Sequence, residues 1–325
     1  MKRLLFIFML ISHLSYGGYR ADILGDGYQQ LTLVMEDDYE GDVEATLIRC
    51  APIAPSTRAV LYIHGFNDYF FQTEMAERFR DSLYNFYAID LRKYGRSLLD
   101  HQRPYNVRDV REYFEELDMA IDIIRSEGSK QIFLMGHSTG GLTASLYANE
   151  RKIDGLILNS PFLDMNMGWT IETLGAPIVW MYGRLYPNKS ITTAESSAYG
   201  KSLHKDYYGE WDFDTNWKII SHSNFSLGWL SAILTAQNAV QRDVHIECPI
   251  FLAYSAKSIY RLRFHEDCHT GDAVLDVKDI EKYGGQLGDD VTHLKLEGAL
   301  HDVVLSRAEV RNRFYEELFR WLKCI

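Results

Sequence analysis

The sequence lacks the cysteine pattern of a disulfide-stapled or zinc-binding protein. Its four cysteines are widely scattered, and no two of them stand in a CxxC motif. The spacing therefore indicates no disulfide framework and defines no pairing. Positive charge is also scarce, since 34 Lys and Arg residues face 45 Asp and Glu residues, for a formal net charge of −11. A chain this acidic is unsuited to nucleic acid, whose phosphates require basic partners.

The N-terminal region lacks a hydrophobic run long enough to cross a bilayer. Residues 4–11 are apolar, but a spanning helix needs about 20 such residues. Lys2 and Arg3 precede the run, and small residues such as Gly17 follow it, which is the pattern of a secretory signal peptide. We predict that residues 1–17 form a signal peptide and that the protein is secreted or periplasmic. The alternative is a buried N-terminal strand in a cytoplasmic protein.

Patterns for metals and phosphate groups are missing as well. Residues 265–269 include metal-capable side chains, but their spacing matches no standard zinc motif. The basic loop 91–97 is not accompanied by the glycine-rich cradle that binds phosphate. We therefore predict no metal site and interpret the basic loop as structural.

The most informative stretch is residues 136–140, which read Gly-His-Ser-Thr-Gly. An apolar run precedes it, and a helix-compatible segment follows it at once. This order predicts a sharp strand-to-helix turn that holds its central serine above the edge of a sheet. Ser138 is therefore the candidate nucleophile. The backbone N–H of Thr139, the next residue, is a candidate donor to a reacting oxygen, whereas His137 is interpreted as structural.

Strand-like and helix-like segments alternate through the first half of the chain. Apolar runs at 59–63, 86–90, 132–135 and 153–159 are separated by helical patterns, the longest of them at 107–125. Such alternation predicts a mostly parallel central sheet with helices on both faces. The fold class is therefore α/β.

The alternation stops at residue 162 and resumes near residue 246. Residues 162–245, here called the cap segment, are rich in Trp, Tyr and Met. We predict a mostly helical cap, or lid, inserted between the two parts of an α/β core, residues 18–161 and 246–325. Phe162 and Trp169 are candidate substrate-binding residues, with ordinary core packing as the alternative.

A second candidate loop follows the buried strand at 59–63. Residues 64–68 read His-Gly-Phe-Asn-Asp, and the carboxyl end of a central strand is where an open α/β sheet places its ligands. Gly65 permits close backbone approach, so the N–H of Phe66 could point towards a reacting carbonyl oxygen. The alternative is a simple loop, with His64 and Asp68 as turn and cap residues.

The remaining catalytic groups are expected after later strands. A serine hydroxyl is a poor nucleophile unless a base takes its proton, and His301 follows the predicted strand at 291–296. Asp272 lies in a loop after another strand and could orient that histidine. The chain order serine, aspartate, histidine is the one expected of an α/β-hydrolase. Asp276 and Asp302 remain alternative acids.

These motifs together resemble those of the monoacylglycerol lipase and lysophospholipase branch of the α/β-hydrolases, which is grouped with serine aminopeptidase-like hydrolases. The resemblance covers about residues 20–325 and rests on residues 64–66, 136–141, 272–276 and 298–301. It implies an α/β-hydrolase fold with a helical cap, hydrolysis of carboxylic esters and no cofactor. It also supports Phe66 and Thr139 as oxyanion donors and favours Asp272 over Asp276.

The chain departs from that branch at two places. It has Phe66-Asn67-Asp68 where monoacylglycerol lipases have small residues followed by Glu-His, and Thr139 where Met is common. A bulky side chain at Phe66 changes the expected shape of the glycerol site, so these departures bear on the substrate rather than the mechanism.

The predicted function is a serine hydrolase that cleaves monoacylglycerol-like or lysophospholipid-like esters through an acyl-enzyme on Ser138. Its partners would be a small-molecule acyl ester and, transiently, lipid surfaces; the sequence carries no signal for an oligomeric state. One alternative is an aminopeptidase-type amidase, which needs cap carboxylates to hold a free amine, with Glu172, Glu195 and Asp206 as candidates. The other is a non-catalytic ligand-binding protein.

Overall fold

A mostly parallel sheet forms the centre of the protein, as the alternating apolar runs predict. The computed structural model describes residues 18–165 and 175–325. The strands are β1 (Arg20–Ala21), β2 (Tyr28–Val34), β3 (Glu44–Cys50), β4 (Arg58–Ile63), β5 (Asn85–Asp90), β6 (Gln131–His137), β7 (Gly155–Asn159), β8 (Ser190–Ser196), β9 (His222–Ser226), β10 (Ile250–Ser255) and β11 (Val291–Leu296). The helices are α1 (Thr73–Asp81), α2 (Phe114–Ser126), α3 (Thr139–Glu150), α4 (Ala176–Leu185), α5 (Ala198–Leu203), α6 (Leu227–Asp243), α7 (Val277–Gly284) and α8 (Ala308–Leu322).

The central sheet has nine strands in the order β1-β2-β3-β5-β4-β6-β7-β10-β11. The strands from β5 to β11 in that order run parallel to one another, whereas β1, β2 and β3 join antiparallel at one edge. Because parallel strands end at the same edge, the loops after β4, β6, β10 and β11 meet there. Residues far apart in sequence are thereby brought to one site.

Helices cover both faces of this sheet. On one face, α2 and α3 bury apolar side chains such as Leu117 and Leu142 against the strands. On the other face, α1 and α8 do the same with Phe79 and Phe314, which are fully buried. Each such side chain contributes about 1.5–3 kcal/mol by leaving water. The two apolar layers hold the sheet rigid beneath the site.

One predicted helix starts later than expected. The pattern at 107–125 predicted a continuous helix, but α2 begins at Phe114 and is preceded by a 3-10 turn, Val110–Tyr113. Asp109 caps that turn, and Glu112 reaches back to the backbone of Asp109, forming a capping box. The Asp-x-x-Glu spacing was therefore the true start signal.

The cap segment contains a two-stranded antiparallel sheet as well as helices. Besides α4, α5 and α6, it forms an antiparallel pair from β8 and β9. The helix α6 packs against α4 and against α3 of the core. The expectation of a mostly helical segment is incomplete in this respect, because β8 is exposed over most of its length and lacks the apolar alternation that would predict a strand. The division into core and cap stays a prediction.

Three predictions fall outside the described residues, namely the signal peptide at 1–17, the substrate contact at Trp169 and the candidate carboxylate Glu172. Because the structure does not describe these residues, they stay predictions.

Among the helices of the described ranges, none is long and apolar enough to cross a bilayer.

Candidate active site

Ser138 occupies the sharp turn between β6 and α3. It has φ 53° and ψ −118°, a strained conformation for a residue with a side chain that costs about 1–3 kcal/mol. The turn is tight, since a Cβ atom added at Gly140 would lie 2.3 Å from the carbonyl oxygen of Ile63. The strain persists because the packed strand and helix on either side leave no relaxed alternative.

Asp272 and His301 form a hydrogen-bonded pair at the same edge of the sheet. Oδ2 of Asp272 lies 2.9 Å from Nδ1 of His301, and both side chains are buried. The other carboxylate oxygen accepts the backbone N–H groups of Val274 and Leu275, each at 2.8 Å. Those two bonds fix the carboxylate, which in turn orients the imidazole and leaves Nε2 as the nitrogen able to accept a proton.

The two alternative acids have other partners. Asp276 accepts the N–H of Lys278 and is the N-cap of α7. The carboxylate of Asp302 accepts from the side chains of Asn159 and Gln72 at 2.6 and 3.3 Å, so it anchors the loop that carries His301. Of the three candidate acids, Asp272 alone bonds to the His301 ring in the described residues.

The histidine lies beside the residue that precedes the nucleophile. The rings of His137 and His301 are 4.8 Å apart between centroids. Tyr199, from the cap segment, packs edge-on against His301 at 5.5 Å, and its hydroxyl accepts the N–H of Asp302 at 3.1 Å. Within the two described ranges, no hydrogen bond joins Ser138 Oγ to His301. His137 of the core and Tyr199 of the cap segment both pack against the His301 ring.

The loop after β4 lies against the serine, as predicted. A Cβ atom added at Gly65 would lie 3.1 Å from the Cβ atom of Ser138. Nδ1 of His64 bonds to the Gly65 carbonyl oxygen at 2.8 Å, and its Nε2 accepts the N–H of Leu91 at 3.1 Å. Because Nε2 is an acceptor, the ring is neutral with its proton on Nδ1. Burial also lowers the pKa of His64, which favours this neutral form.

This arrangement orients a backbone donor. The Gly65 carbonyl and the Phe66 N–H belong to one planar peptide group, so fixing the oxygen also fixes the direction of the N–H. In the described residues, neither the Phe66 N–H nor the Thr139 N–H donates to a protein acceptor. Both groups are thus free to bind a substrate oxygen. Their role as an oxyanion hole remains a proposal.

The Phe66 side chain packs among aromatic residues of the cap segment. Its ring centroid lies 4.4 Å from Trp229, 5.4 Å from Phe225 and 5.0 Å from His222. Tyr105 of the core completes this cluster at 4.8 Å. The bulky residue that departs from the monoacylglycerol lipase pattern is therefore a point of contact between the core and the cap segment.

Three metal-capable side chains also meet near the site, one of them that of His137, which precedes the serine. Ligand atoms of Asp68, His137 and Asp302 all lie within 4.8 Å of one another, and all three residues are buried. However, Asp68 Oδ1 already contacts the ammonium group of Lys218 at 2.9 Å. A second cation would be repelled by that ammonium, so we assign the cluster no metal. Lys218 was missed at the sequence level, because the cap segment has no periodicity that would single it out.

The other predicted residues lie apart from this centre or support it indirectly. The half-buried Phe162 donates its N–H to the Ser138 carbonyl at 2.9 Å, and its own carbonyl accepts from Gln237 of α6 at 3.1 Å. Glu195 is exposed and accepts from Ser221, and the side chain of Asp206 is 72% exposed. Glu172 lies outside the described residues. The structure does not bring Glu195 and Asp206 to the site.

The strand order, the helices on both faces and the strained turn at Ser138 together define an α/β-hydrolase. Within that class, the chain belongs to the serine aminopeptidase family, S33, which matches residues 54–258. The sequence analysis predicted an α/β-hydrolase fold and a chain grouped with the serine aminopeptidase-like hydrolases. Both predictions are confirmed.

One curated relative and several solved structures are similar to this chain. Phospholipase YtpA of Bacillus subtilis (strain 168) is 32% identical over 112 residues, which are 33% of this chain. That match spans 42% of the length of the relative. A soluble variant of monoglyceride lipase from Saccharomyces cerevisiae, in complex with a substrate analog, is 17% identical with a TM-score of 0.63, covering 90% of this chain and 95% of that one.

Two further structures show the same fold. The monoacylglycerol lipase of Paleococcus ferrophilus is 19% identical with a TM-score of 0.60, covering 85% of this chain and 98% of that one. A thermostable carboxyl esterase of Bacillus coagulans, in complex with glycerol, is 12% identical with a TM-score of 0.63, covering 92% of this chain and 99% of that one. At these identities the likeness supports the fold, while function has to be argued from the site.

Proposed function

We propose that this protein is a serine hydrolase that cleaves carboxylic esters of the monoacylglycerol or lysophospholipid type. The observation that carries the proposal is the 2.9 Å hydrogen bond between buried Asp272 and His301, at the sheet edge where strained Ser138 also lies. This is the arrangement that converts a serine hydroxyl into a nucleophile.

In the proposed reaction, Ser138 Oγ attacks the ester carbonyl while His301 Nε2 takes its proton. Asp272 stabilises the resulting imidazolium, and the N–H groups of Phe66 and Thr139 bind the oxygen that becomes negative. His301 then donates its proton to the leaving alcohol, which leaves an acyl-enzyme on Ser138. A water molecule, deprotonated by His301, releases the acid by the same steps. Catalytic hydrogen bonds are often long without substrate and shorten in its complex, which accommodates the absent bond between Ser138 and His301.

Lipid-like substrates are supported by an apolar surface on the cap segment. One face of α4 and its C-terminal end presents exposed apolar and aromatic side chains at helical spacing, namely Ile178, Met181, Tyr182, Leu185 and Tyr186. An exposed stripe of this kind suits contact with a lipid surface, from which an acyl ester could enter. Phospholipase YtpA, which is 32% identical over the 112 matched residues, is further support for a lipid-like substrate.

The proposal is tested with purified protein and a panel of substrates. We expect hydrolysis of p-nitrophenyl esters, a long-chain monoacylglycerol and a lysophosphatidylcholine, and labelling by a fluorophosphonate probe. The variant Ser138→Ala should lose both the hydrolysis of these esters and the labelling by the probe. Faster turnover of amino-acid p-nitroanilides than of esters would instead establish an amidase. A folded wild-type protein that fails to react with the probe would establish a binding protein.

An amidase remains the second candidate because the matching family is described as serine aminopeptidases. It would require a carboxylate to bind the substrate amine, and Glu195 and Asp206 are directed to the surface. We therefore prefer the ester hydrolase.

We also propose that the protein is exported. Mass spectrometry of the protein from its native source should find a mature N-terminus near Gly17. An intact Met1 would contradict export through a cleaved signal peptide.

A further inference from the structure

The loop that carries the Phe66 N–H continues into three residues that all bind one short part of the cap segment. That part, residues 214–219, is called the strap. Asn67 binds the backbone of Ile219 twice, donating from Nδ2 to its carbonyl and accepting its N–H, both at 2.8 Å. Asn67 has φ 51°, a left-handed conformation that Asn adopts more readily than most residues. The paired bonds hold the chain in it.

Asp68, the next residue, forms a buried ion pair with the strap. Its Oδ1 lies 2.9 Å from Nζ of Lys218, with side-chain exposures of 1% and 8%. Aromatic rings at 5.7–5.9 Å from the ammonium group surround it further: Phe71, Tyr199 and Phe213. A buried charge of either sign is unfavourable when unpaired, so each member of the pair requires the other to stay in place.

Tyr69 makes the third connection. Its hydroxyl accepts the N–H of Asp214 at 2.7 Å, and its ring packs edge-on against Trp217 at 5.0 Å. The strap is itself a closed turn, because the Asp214 carbonyl accepts the N–H of Lys218 at 2.9 Å. The loop is thus bound to a preformed turn rather than to a loose segment.

We infer that the strap positions the oxyanion donor of this enzyme, with Lys218 as the central positioning residue. The peptide group of Phe66 is held on one side by His64 of the core and on the other by the strap of the cap segment. The inference rests on the proposed ester hydrolysis, because an oxyanion donor acts only where a tetrahedral intermediate forms.

The expected effect follows from what the donor binds. An N–H group aimed at the oxyanion stabilises the transition state more than the bound ester. A displacement on the order of 1 Å lowers the rate up to about 100-fold. Loosening the strap should therefore lower kcat and leave KM nearly unchanged.

The test compares three variants of the full chain. Lys218→Met removes the ammonium group and keeps an apolar stem, and Tyr69→Phe removes a single oxygen that accepts from the strap. Lys205→Met is the matched control, because Lys205 is also in the cap segment and pairs with Asp212 at the surface. Each preparation is corrected by fluorophosphonate titration of its reactive serine. The readouts are kcat, KM and the inhibition constant of an aliphatic trifluoromethyl ketone, which forms a tetrahedral oxyanion on the serine.

We expect Lys218→Met to lower kcat by about 10- to 100-fold and to weaken ketone binding by a similar factor. Tyr69→Phe should lower kcat by about three- to tenfold, as for one hydrogen bond, and it keeps the inference testable if Lys218→Met does not fold. If both variants have the same kcat and the same ketone inhibition constant as Lys205→Met, the inference is wrong. The proposed ester hydrolysis would still stand. A wild-type protein that neither hydrolyses esters nor binds the ketone would overturn the proposed function, and the inference with it.

Discussion

The replacement of Asp272 by Asn gives the sharpest test of the proposed site. Oδ1 of Asp272 accepts two backbone N–H groups, from Val274 and Leu275. An Asn side chain has only one oxygen, and that oxygen must take the same place, because an NH₂ group cannot accept those bonds. Its NH₂ group then faces His301 Nδ1, where the carboxylate oxygen now lies at 2.9 Å.

The histidine must then change its tautomer. Facing a donor, Nδ1 becomes an acceptor, and the ring proton moves to Nε2, which can no longer accept the proton of Ser138. A wrong tautomer of this kind lowers kcat by about 10⁴-fold, which corresponds to about 5.4 kcal/mol of barrier. The assay is steady-state hydrolysis of a p-nitrophenyl ester, with circular dichroism to verify the fold.

Asp276→Asn supplies the matched control. Asp276 is an N-cap, a position at which Asn serves as well as Asp, so its replacement should leave kcat unchanged. The tautomer argument would be refuted if Asp272→Asn lowered kcat by less than tenfold, or if both variants lowered kcat equally.

Three further predictions concern stability and surface contact. Gly140→Ala should lower the free energy of unfolding by about 3 kcal/mol, because its Cβ would lie 2.3 Å from a backbone carbonyl oxygen. Thermal melts measure this, with Gly18→Ala as the control, because a Cβ atom at Gly18 would meet no atom within 4 Å. Burial lowers the pKa of His64 and His137, so below about pH 6.5 the unfolded chain binds protons that the folded chain does not. Stability should fall as pH decreases, by up to about 1.4 kcal/mol per pH unit for each histidine, and a urea midpoint that stays constant from pH 7 to 5.5 would contradict this. Leu185→Glu should reduce co-sedimentation with phosphatidylcholine vesicles without changing p-nitrophenyl acetate turnover, and unchanged co-sedimentation would exclude the α4 stripe as the contact.

The sequence was sufficient to predict the sheet because its signals are local. Buried parallel strands are continuous apolar runs, and the turn at Ser138 has small residues at fixed spacing. The order of the site residues along the chain was enough to nominate Asp272 and His301, although three acids remained open. Choosing among them required the hydrogen bonds of each carboxylate, which no pattern encodes.

The cap segment was much less predictable. The strands β8 and β9 consist mostly of polar residues, so they lack the apolar alternation that marks a half-buried strand. Lys218 would be read as a surface residue by type, since lysine is almost never fully buried unless it is paired. Its partner Asp68 is 150 residues away in sequence, and only the folded chain brings the two together.

The contacts of residues 67–69 with the strap also set a rule for protein engineering. Exchanging the cap segment for that of a relative is one way to seek a different substrate range. Without the strap, Asn67, Asp68 and Tyr69 would lose their partners, and one of these residues has a buried carboxylate. A chimera should therefore carry residues 66–69 together with the cap segment, so the unit of exchange is discontinuous in sequence.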